Sequence, residues 1–581
     1  VPRETNANSN CGLFYSFSLA SGCMSDGLQD LASSIAEGLR DRTLTSCSRW
    51  ASARRIMGAP FPGPYSWKRH PWVKELHDSW APFNYAMKGA QLGVTEVAIN
   101  RAFYTLDRLK RDVLYVLPTS LNARDFSKSR FGPALSNSPY IKGMFTDTNT
   151  VELKQAGANT LYIRGSRTNS NLKSIPASEL LLDEIDEMEQ KQIWLALERL
   201  SGQIHKHVWG ISTPTIPNYG IHKLYLGSTQ EHFVFKCPCC SRQTELIWPE
   251  CVEICGEHET DIRCKESFLK CKECKGRLDH ALKSEWLADA FWQSFAPNAN
   301  PEVRGFYINQ LYSFTVSPGE LVVAYFRGFG DELAAKEFKN SKLGLPHIGD
   351  GAKVDDGMLD KAVELGSHTK NDERPRDYRQ HLITMGVDQG KWGYIEICDW
   401  SVQPFAQDVN VAATCKVLWE GKFFENDWGR LDELMREWQV QGCVIDADPE
   451  INEARRFAKR FPGFVWLCRY RRGVSARQIQ ITDDEDGAPL ATVDRSNWLS
   501  ASLGRFKCTP PRIVLPRDVS HEYREHMKAL VQTYVRDSQY GNPVCTYVET
   551  GPDHFAHART YNEIALPLVV ARSTNQDIRG I

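Results

Sequence analysis

The chain has 581 residues, 42 % hydrophobic and 24 % charged, with a formal net charge of -2. At roughly 100–200 residues per domain this length predicts about three to five domains, each able to bury its own core, and the composition excludes collagen-like, mucin-like and wholly disordered chains. Near-neutral charge leaves DNA contact to local patches, no run of about 18 apolar residues signals a transmembrane helix, and the opening VPRETNANSNCGLFYSFSLASG lacks the basic-then-apolar pattern of a signal peptide.

Residues 1–59 are Ser- and Arg-rich and predict an N-terminal helical region, with Leu28–Arg42 as one helix. Residues 60–231 alternate strands and helices. Phe83–Met87, Val113–Leu117 and Glu179–Leu182 read as strands, and Val97–Leu109 and Gln192–Leu200 as helices, which predicts a parallel sheet. Residues 232–281 form a Cys-rich insert, and residues 282–366 a mixed, aromatic remainder and connector. The polar stretch Ser367–Arg379 reads as a linker. Residues 380–581 start a second unit. Leu382–Asp388, Tyr394–Asp399 and Thr414–Glu420 are strands, Arg430–Val440 a helix, Cys443–Asp446 a strand, Ile451–Arg460 a helix and Phe464–Cys468 a strand. A three-strand meander followed by αβαβ is the order of a ribonuclease-H-like sheet.

Residues 87–96, MKGAQLGVTE, place a glycine-containing loop between a strand and a helix, where backbone N–H groups cradle phosphates. In G-x-x-x-x-G-K-[ST] spacing Gly93 and Thr95 are in register, but Val94 holds the Lys position and Lys88 the first Gly position. Lys88 is placed to fold back over the loop, and Thr95 to hold Mg²⁺. Lys88, Gly89, Gln91, Gly93 and Thr95 form the candidate nucleotide set, although an ordinary strand–helix turn has the same pattern. In SELLLDEIDE an apolar strand ends in Asp183-Glu184, suited to Mg²⁺ coordination and to polarising a water. Asp186 and Glu187 read as a solvated acidic helix start. A third strand runs into Ser212-Thr213-Pro214, placed to sense a γ-phosphate or simply to turn.

Of 17 cysteines, eight lie between Cys237 and Cys274, a clustering that points to a reducing compartment and a metal rather than to disulfides. The pairs Cys237/Cys240 and Cys271/Cys274 have the C-x-x-C spacing of two knuckles gripping one tetrahedral Zn²⁺, a structural role. Cys239 reads as a bystander. In the second unit Asp388 and Asp446 end neighbouring strands, as a two-metal nuclease requires. Asp553 and His557, four residues apart in GPDHFAHARTYNEIAL, share a helix face and supply the third side; a helix cap and a packed histidine are the plainer readings. Asp448 is a secondary candidate, and Glu396 and Asp399 read as solvent-facing, although strand alternation is able to turn one of them inward. CRYRRGVSAR clusters Arg469, Arg471, Arg472 and Arg477 with Tyr470 as a phosphate-contacting or merely solvated loop.

PGPYSW, MKGAQLGVTE, LYVLPTSLNARDFSKSR, GSRTNSNLKSIPASELLLDEID and GISTPT, in this order, resemble the large terminase subunit of tailed bacteriophages, and most resemble the branch containing the lambda-type subunit. GFYINQLYS and GVDQG continue the likeness. The resemblance implies a P-loop (RecA/ASCE-like) parallel-sheet ATPase with a zinc-ribbon insert, followed by a ribonuclease-H-like nuclease domain. It implies ATP-driven translocation of double-stranded DNA into a procapsid and endonucleolytic cutting of concatemers. ATP with Mg²⁺, Mg²⁺ or Mn²⁺ at the nuclease and structural Zn²⁺ are the implied cofactors. A small terminase subunit, a portal protein and a five-membered ring of this chain are the implied partners, with no membrane, in the cytoplasm of the infected host. Tyr65 and Trp67 fall where the family packs adenine, Ser212 and Thr213 on its coupling motif, and Arg124 and Arg130 are candidates for a transition-state arginine. Relatives in that branch often have Lys at the Val94 position and an acid at the His557 position. The alternatives are a helicase-like translocase-nuclease, which needs a second RecA-like lobe, and a non-enzymatic, zinc-stabilised DNA- or capsid-binding component with a decayed ATP site.

Overall fold

The computed structural model describes residues 45–145, 149–168, 171–173, 175–349, 351–370, 372, 381–402, 413–424, 427–471, 478–536 and 543–573. The expected helix Leu28–Arg42, Arg472, Arg477 and most of the expected linker lie outside them. No described helix is long and apolar enough to cross a membrane.

The first sheet has ten strands. Eight are β1 (Phe83–Lys88), β2 (Val113–Leu117), β3 (Leu153–Ala156), β4 (Asn159–Gly165), β5 (Glu179–Asp183), β6 (His207–Ser212), β7 (Glu231–Lys236) and β8 (Val303–Ile308). Across the sheet the order is β7-β8-β1-β6-β5-β2-β4-β3, with Gln243–Thr244 and Phe291–Ser294 both on β7. Every pairing from β7 to β4 is parallel. All five residues of β2 and of β5 are buried, as strands covered on both faces must be. Glu179 is tolerated there because Arg101, from helix α1 (Val94–Tyr104), brings its Nε to 2.8 Å from the carboxylate. The same guanidinium donates to His77 O and Ser79 O, pinning α1 to the sheet. Parallel order gathers the carboxyl ends of β1, β5 and β6, with Lys88, Asp183 and Ser212, on one edge, where open α/β sheets bind ligands.

Three features differ from the sequence reading. The helix Cys47–Arg54 belongs to this core rather than to a separate region: Trp50 is buried and donates to Asp107 Oδ2 at 2.7 Å. The aromatic stretch 282–366 supplies β8, which lies between β7 and β1, against the phosphate-loop strand. The cysteine segment is not detached either, since β7 runs directly into Cys237. Beyond it a small antiparallel sheet pairs Val252–Glu253, Phe268–Lys270 and Arg277–Leu278.

The second sheet has eight strands: β9 (Ile383–Asp388), β10 (Trp392–Ser401), β11 (Thr414–Phe424), β12 (Gly442–Asp446), β13 (Val465–Tyr470), β14 (Gln480–Asp483), β15 (Pro489–Val493) and β16 (Ile513–Val514). Their order is β14-β15-β13-β12-β9-β10-β11-β16. The antiparallel meander β9–β10–β11 with β12 and β13 parallel to β9 is not the order of a second RecA-like lobe. Helices α2 (Arg495–Lys507), α3 (His521–Lys528) and α4 (His554–Ser573) follow, with a hairpin of β17 (Leu530–Arg536) and β18 (Pro543–Glu549) between α3 and α4. This unit starts before the expected linker: Leu359 and Ala362 of helix Asp356–Glu364 lie in its core, and His368 bonds Val417 O at 2.7 Å.

Helix α4 crosses the meander over Glu396. The expected solvent position of that residue is wrong. Glu396 is fully buried, 2.7 Å from Arg559 Nη1 and 2.6 Å from Tyr523 OH. Strand alternation turns it under α4, and the Arg559 charge compensates its burial. Asp399 is half-buried beside His381 at 2.6 Å.

Candidate functional sites

The phosphate loop is held from three sides. Trp72 Nε1 donates to Leu92 O at 2.8 Å, Gln310 Nε2 donates to Ala90 O at 2.8 Å, and Ala90 N–H donates to Ser341 O at 2.7 Å. Gln91 (φ 60°) and Gly93 (φ 75°) take left-handed backbone, which turns the chain into α1. The Glu96 N–H closes the first turn on Gly93 O at 3.2 Å, and a helix start of this kind suits an anion. Lys88 is nearly buried, with Nζ 3.3 Å from Thr213 Oγ1 and 3.8 Å from Glu184 Oε1. The lysine, the acidic strand end and the Ser212-Thr213 segment therefore meet. Gly89 is buried, Thr95 half-buried, and Val94 is core.

Asp183 is buried and accepts from Tyr115 OH at 2.7 Å through Oδ2. Its Oδ1 has no hydrogen-bond partner among the described residues. Burial, reinforced by the neighbouring Glu184 charge, pushes the carboxyl up to about 6. An orphaned carboxylate oxygen beside a phosphate loop fits a hard divalent cation. Glu184 sits at φ 61°, an uncommon conformation for a residue with a side chain, which turns it outward.

Asp186 corrects the solvated-helix reading. It is buried, and its carboxylate accepts from Thr215 N–H (2.7 Å), Thr215 Oγ1 (2.8 Å) and Ile221 N–H (2.8 Å). It ties the acidic strand end to the segment after β6. Tyr65 is also corrected: it is buried against the His77 ring and closed to a base. Trp67 is half-buried against the core. His70 and Trp72 are the residues of this stretch that reach the loop, His70 Cδ2 lying 3.2 Å from where a Cβ on Gly93 would sit. Arg130 pairs with Glu96 of α1 at 2.9 Å, whereas Arg124 pairs with exposed Glu152 at 3.0 Å.

Cys237, Cys240, Cys271 and Cys274 bring their sulfurs within 4.8 Å of one another, to the exclusion of Cys239. Cys237 and Cys274 are 3.9 Å apart, close to the edge of about 3.8 Å that a tetrahedron with Zn–S near 2.3 Å requires. The Arg242 backbone N–H helps hold the Cys240 thiol down at about 7, favouring thiolate.

In the second sheet β9 and β12 pair in parallel with Val387 opposite Ile445, so Asp388 and Asp446 end side by side. Burial, then the Asp388 charge, pushes Asp446 up to about 6. Asp388 is buried and accepts from His554 Nδ1 at 2.9 Å; His554 stacks on Tyr394 with centroids 4.7 Å apart. Two adjacent carboxylates with one imidazole between them and low-dielectric surroundings fit a divalent cation. Asp553 precedes α4 and His557 is one turn in, with Nε2 3.3 Å from Asp553 Oδ2 and Nδ1 3.0 Å from Tyr470 OH. Burial pushes Asp553 up, but the His557 bond and the His557 and Arg495 charges outweigh it and hold the carboxyl below the usual range. Tyr470 is thus the end of a strand, stacked on Tyr561, rather than part of a DNA loop. Arg469 is held by Asp448 at 2.9 and 3.1 Å.

Sequence reading missed Asp186, His554, Arg495 and Glu549. His554, adjacent to Asp553, had a local signal; the others are assembled by distant segments. The hairpin β17–β18 reaches both sites. Thr533, Tyr534, Thr546 and Val548 line a cavity of about 630 Å³ with Glu184 and Thr213, and Lys336 Nζ donates to Thr533 Oγ1 at 2.7 Å. Alternate residues turn the other way: Tyr547 meets Ser500 at 3.1 Å and Glu549 meets Arg495 at 2.8 Å.

Two family models match in succession: the ATPase domain of the phage terminase large subunit gpA over residues 59–292, and its endonuclease domain over residues 303–550. The chain belongs to the large terminase subunit family. DNA-packaging ATPase and endonuclease are accordingly the activities of this terminase. Among solved structures it is similar to the large terminase of bacteriophage HK97 (11 % identity, 89 % of this chain and 98 % of that one, TM-score 0.45). It is also similar to the large terminase of a thermophilic bacteriophage (11 %, 86 % and 98 %, 0.29) and to the ATPase domain of the Thermus phage P74-26 large terminase (14 %, 48 % and 93 %, 0.29). No curated protein matches the chain.

Proposed function

We propose that Lys88, Gly89, Gln91, Gly93 and Thr95 cradle the phosphates of ATP, that Asp183 holds Mg²⁺ with Thr95, and that Glu184 polarises the attacking water. The supporting observation is the meeting of Lys88, Glu184 and Thr213 within 4 Å beside the orphaned oxygen of Asp183. When bound, Mg²⁺ neutralises charge on the β- and γ-phosphates. Lys88 Nζ donates to a phosphate oxygen and releases Glu184 to orient water. Thr213, sharing Lys88, feels the loss of the γ-phosphate, and Asp186 passes that change to residues 215–221. At the nuclease, Asp388 and Asp446 would hold a divalent ion, which would supply charge neutralisation and a more acidic water beside a phosphodiester. Asp553 and His557 close the opposite side, and His554 keeps Asp388 oriented. The four thiolates hold Zn²⁺, which ties the cysteine segment to β7.

In this reading the chain moves double-stranded DNA into a procapsid as a five-membered ring on a portal, with a small terminase subunit, in the host cytoplasm. The test is ATP hydrolysis by the zinc-loaded chain with and without linear double-stranded DNA, beside Lys88→Ala. Turnover stimulated by DNA and lost in Lys88→Ala is expected. Undiminished turnover in Lys88→Ala would remove Lys88 from the site.

A further inference from the structure

Around the nuclease site, Glu549, Asp553 and His557 bring one ligand-type atom each within 4.8 Å of the others. A side-chain cation already stands among them. Arg495 Nη2 lies 2.8 Å from Glu549 Oε1, 3.4 Å from His557 Nε2 and 3.8 Å from Asp553 Oδ2. Arg495 opens α2, whose cap Asp494 accepts from Asn497 N–H, and its Nη1 donates to Tyr547 O at 3.3 Å. The guanidinium is thus fixed by a helix start and by β18. Its side chain remains 27 % exposed, so one edge faces outward. Asp388 and Asp446 differ. They are buried or nearly so, they end neighbouring parallel strands, and Asp388 accepts from His554 Nδ1 at 2.9 Å. One half of the site is matched by a titratable imidazole, and the other half by a permanent guanidinium charge.

We infer that this nuclease uses a single divalent ion, at Asp388 and Asp446, and that the Arg495 guanidinium takes the place of the second. A divalent ion among Glu549, Asp553 and His557 would share its ligands with a fixed positive charge and be repelled by it. The expected metal ligand Asp553 instead orients the arginine. A guanidinium has five N–H donors in a planar fork that matches phosphate oxygens, and Glu549 and Tyr547 leave some of Arg495's free. In the reaction a water oxygen forms a bond to phosphorus and gives its proton to solvent. One P–O ester bond breaks with its electron pair on the leaving oxygen, which takes a proton from solvent. Arg495 donates hydrogen bonds to a non-bridging oxygen and transfers no proton. It is a catalytic residue that does the charge-neutralising work usually given to a second ion. The His557 position then needs no acid, because a monovalent guanidinium already has two carboxylates, Glu549 and Asp553, beside it.

The inference rests on the Asp388–Asp446 reading, and the experiment separates the two. The full-length, zinc-loaded chain is titrated with Mn²⁺ in the absence of nucleotide, and bound ions are counted and examined by electron paramagnetic resonance. One isolated Mn²⁺ is expected, lost in Asp388→Asn and retained in Glu549→Gln and His557→Ala. Arg495→Ala should keep that ion at unchanged affinity while cutting of linear DNA falls by about 10²–10³-fold, with Arg495→Lys between. ATP hydrolysis, on the other sheet, reports that each variant is folded. Two spin-coupled Mn²⁺ ions, one of them lost in Glu549→Gln, would overturn the arginine's role and keep the carboxylate pair. So would undiminished cutting by Arg495→Ala. Mn²⁺ binding that survives Asp388→Asn would overturn both.

Discussion

Gly386, two residues before Asp388, lies where β9 passes under α4. A Cβ there would sit 2.5 Å from Asn562 N and 3.0 Å from Asn562 Cβ, and closer still to Ala558 O, all on α4. Ordinary contact begins at 3.4 Å, so strand and helix must part by about 1 Å. Helix α4 carries His557 and Tyr561, and Asp553 and His554 stand at its start, so that separation opens the nuclease site along its length. Overpacking of this kind costs about 1–3 kcal/mol, a fall of about 2–12 °C in the unfolding midpoint for a unit of this size. Misplacing reacting groups by about 1 Å costs ~10²-fold in rate. Gly386→Ala should therefore lose DNA cutting by that factor at a temperature where it is still folded, with ATP hydrolysis unaffected. Gly504→Ala is the matched control: it lies in α2 with nothing within 4 Å of the added methyl, and should cut normally. Folded Gly386→Ala that cuts like the parent chain would refute the idea that the β9–α4 distance sets the site.

Further outcomes are expected. Asp446 has a folded-state pKa of about 6, above its ordinary 3.8, so the folded chain binds more protons between those values. That stability contribution is complete below 3.8 and is lost as pH rises through 6. In divalent-free buffer without chelator, Asp446→Asn should exceed the parent chain by about 2–3 kcal/mol in urea unfolding at pH 7.5, and the gain should vanish near pH 4. An equal gain at both pH values would contradict the assignment. Gly220 has φ 50°, and a Cβ there would sit 2.6 Å from Asp186 Cγ. Gly220→Ala should lower the urea midpoint by an amount worth about 1–2 kcal/mol and slow ATP turnover by displacing the Asp186 clamp. Cys237→Ser with Cys271→Ser should take bound zinc, measured by atomic absorption, from one per chain to none. Because the cysteine arm is continuous with β7 and through β8 with the phosphate-loop strand, ATP hydrolysis should fall more than DNA cutting.

The sequence displays whatever is local. The apolar runs ending at Asp183 and Asp446 announce buried parallel strands with acids at their tips, and the Cys spacing announces a tetrahedral set. Hidden from it is whatever needs a distant partner. β8 pairs with a strand more than 200 residues earlier, and nothing in GFYINQLY names that partner. Asp186 and Glu396 look solvated because acids usually are; backbone N–H groups from residues 215 and 221 make one burial tolerable, and Arg559 the other. Tyr65 fails as a base platform for the converse reason, that an aromatic beside a motif is more often core. Arg495 had no signal at all, since the carboxylate that holds it arrives on β18, 54 residues later.

The strand β18 of the hairpin turns its two faces towards different sites. Thr546 and Val548 look toward the nucleotide side, and Tyr547 and Glu549 toward the DNA-cutting side. Strand side chains alternate with a period of two, so deleting one residue from Pro543–Cys545 would exchange the two audiences of every later position. Even-numbered and odd-numbered residues of β18 thus answer to different catalysts.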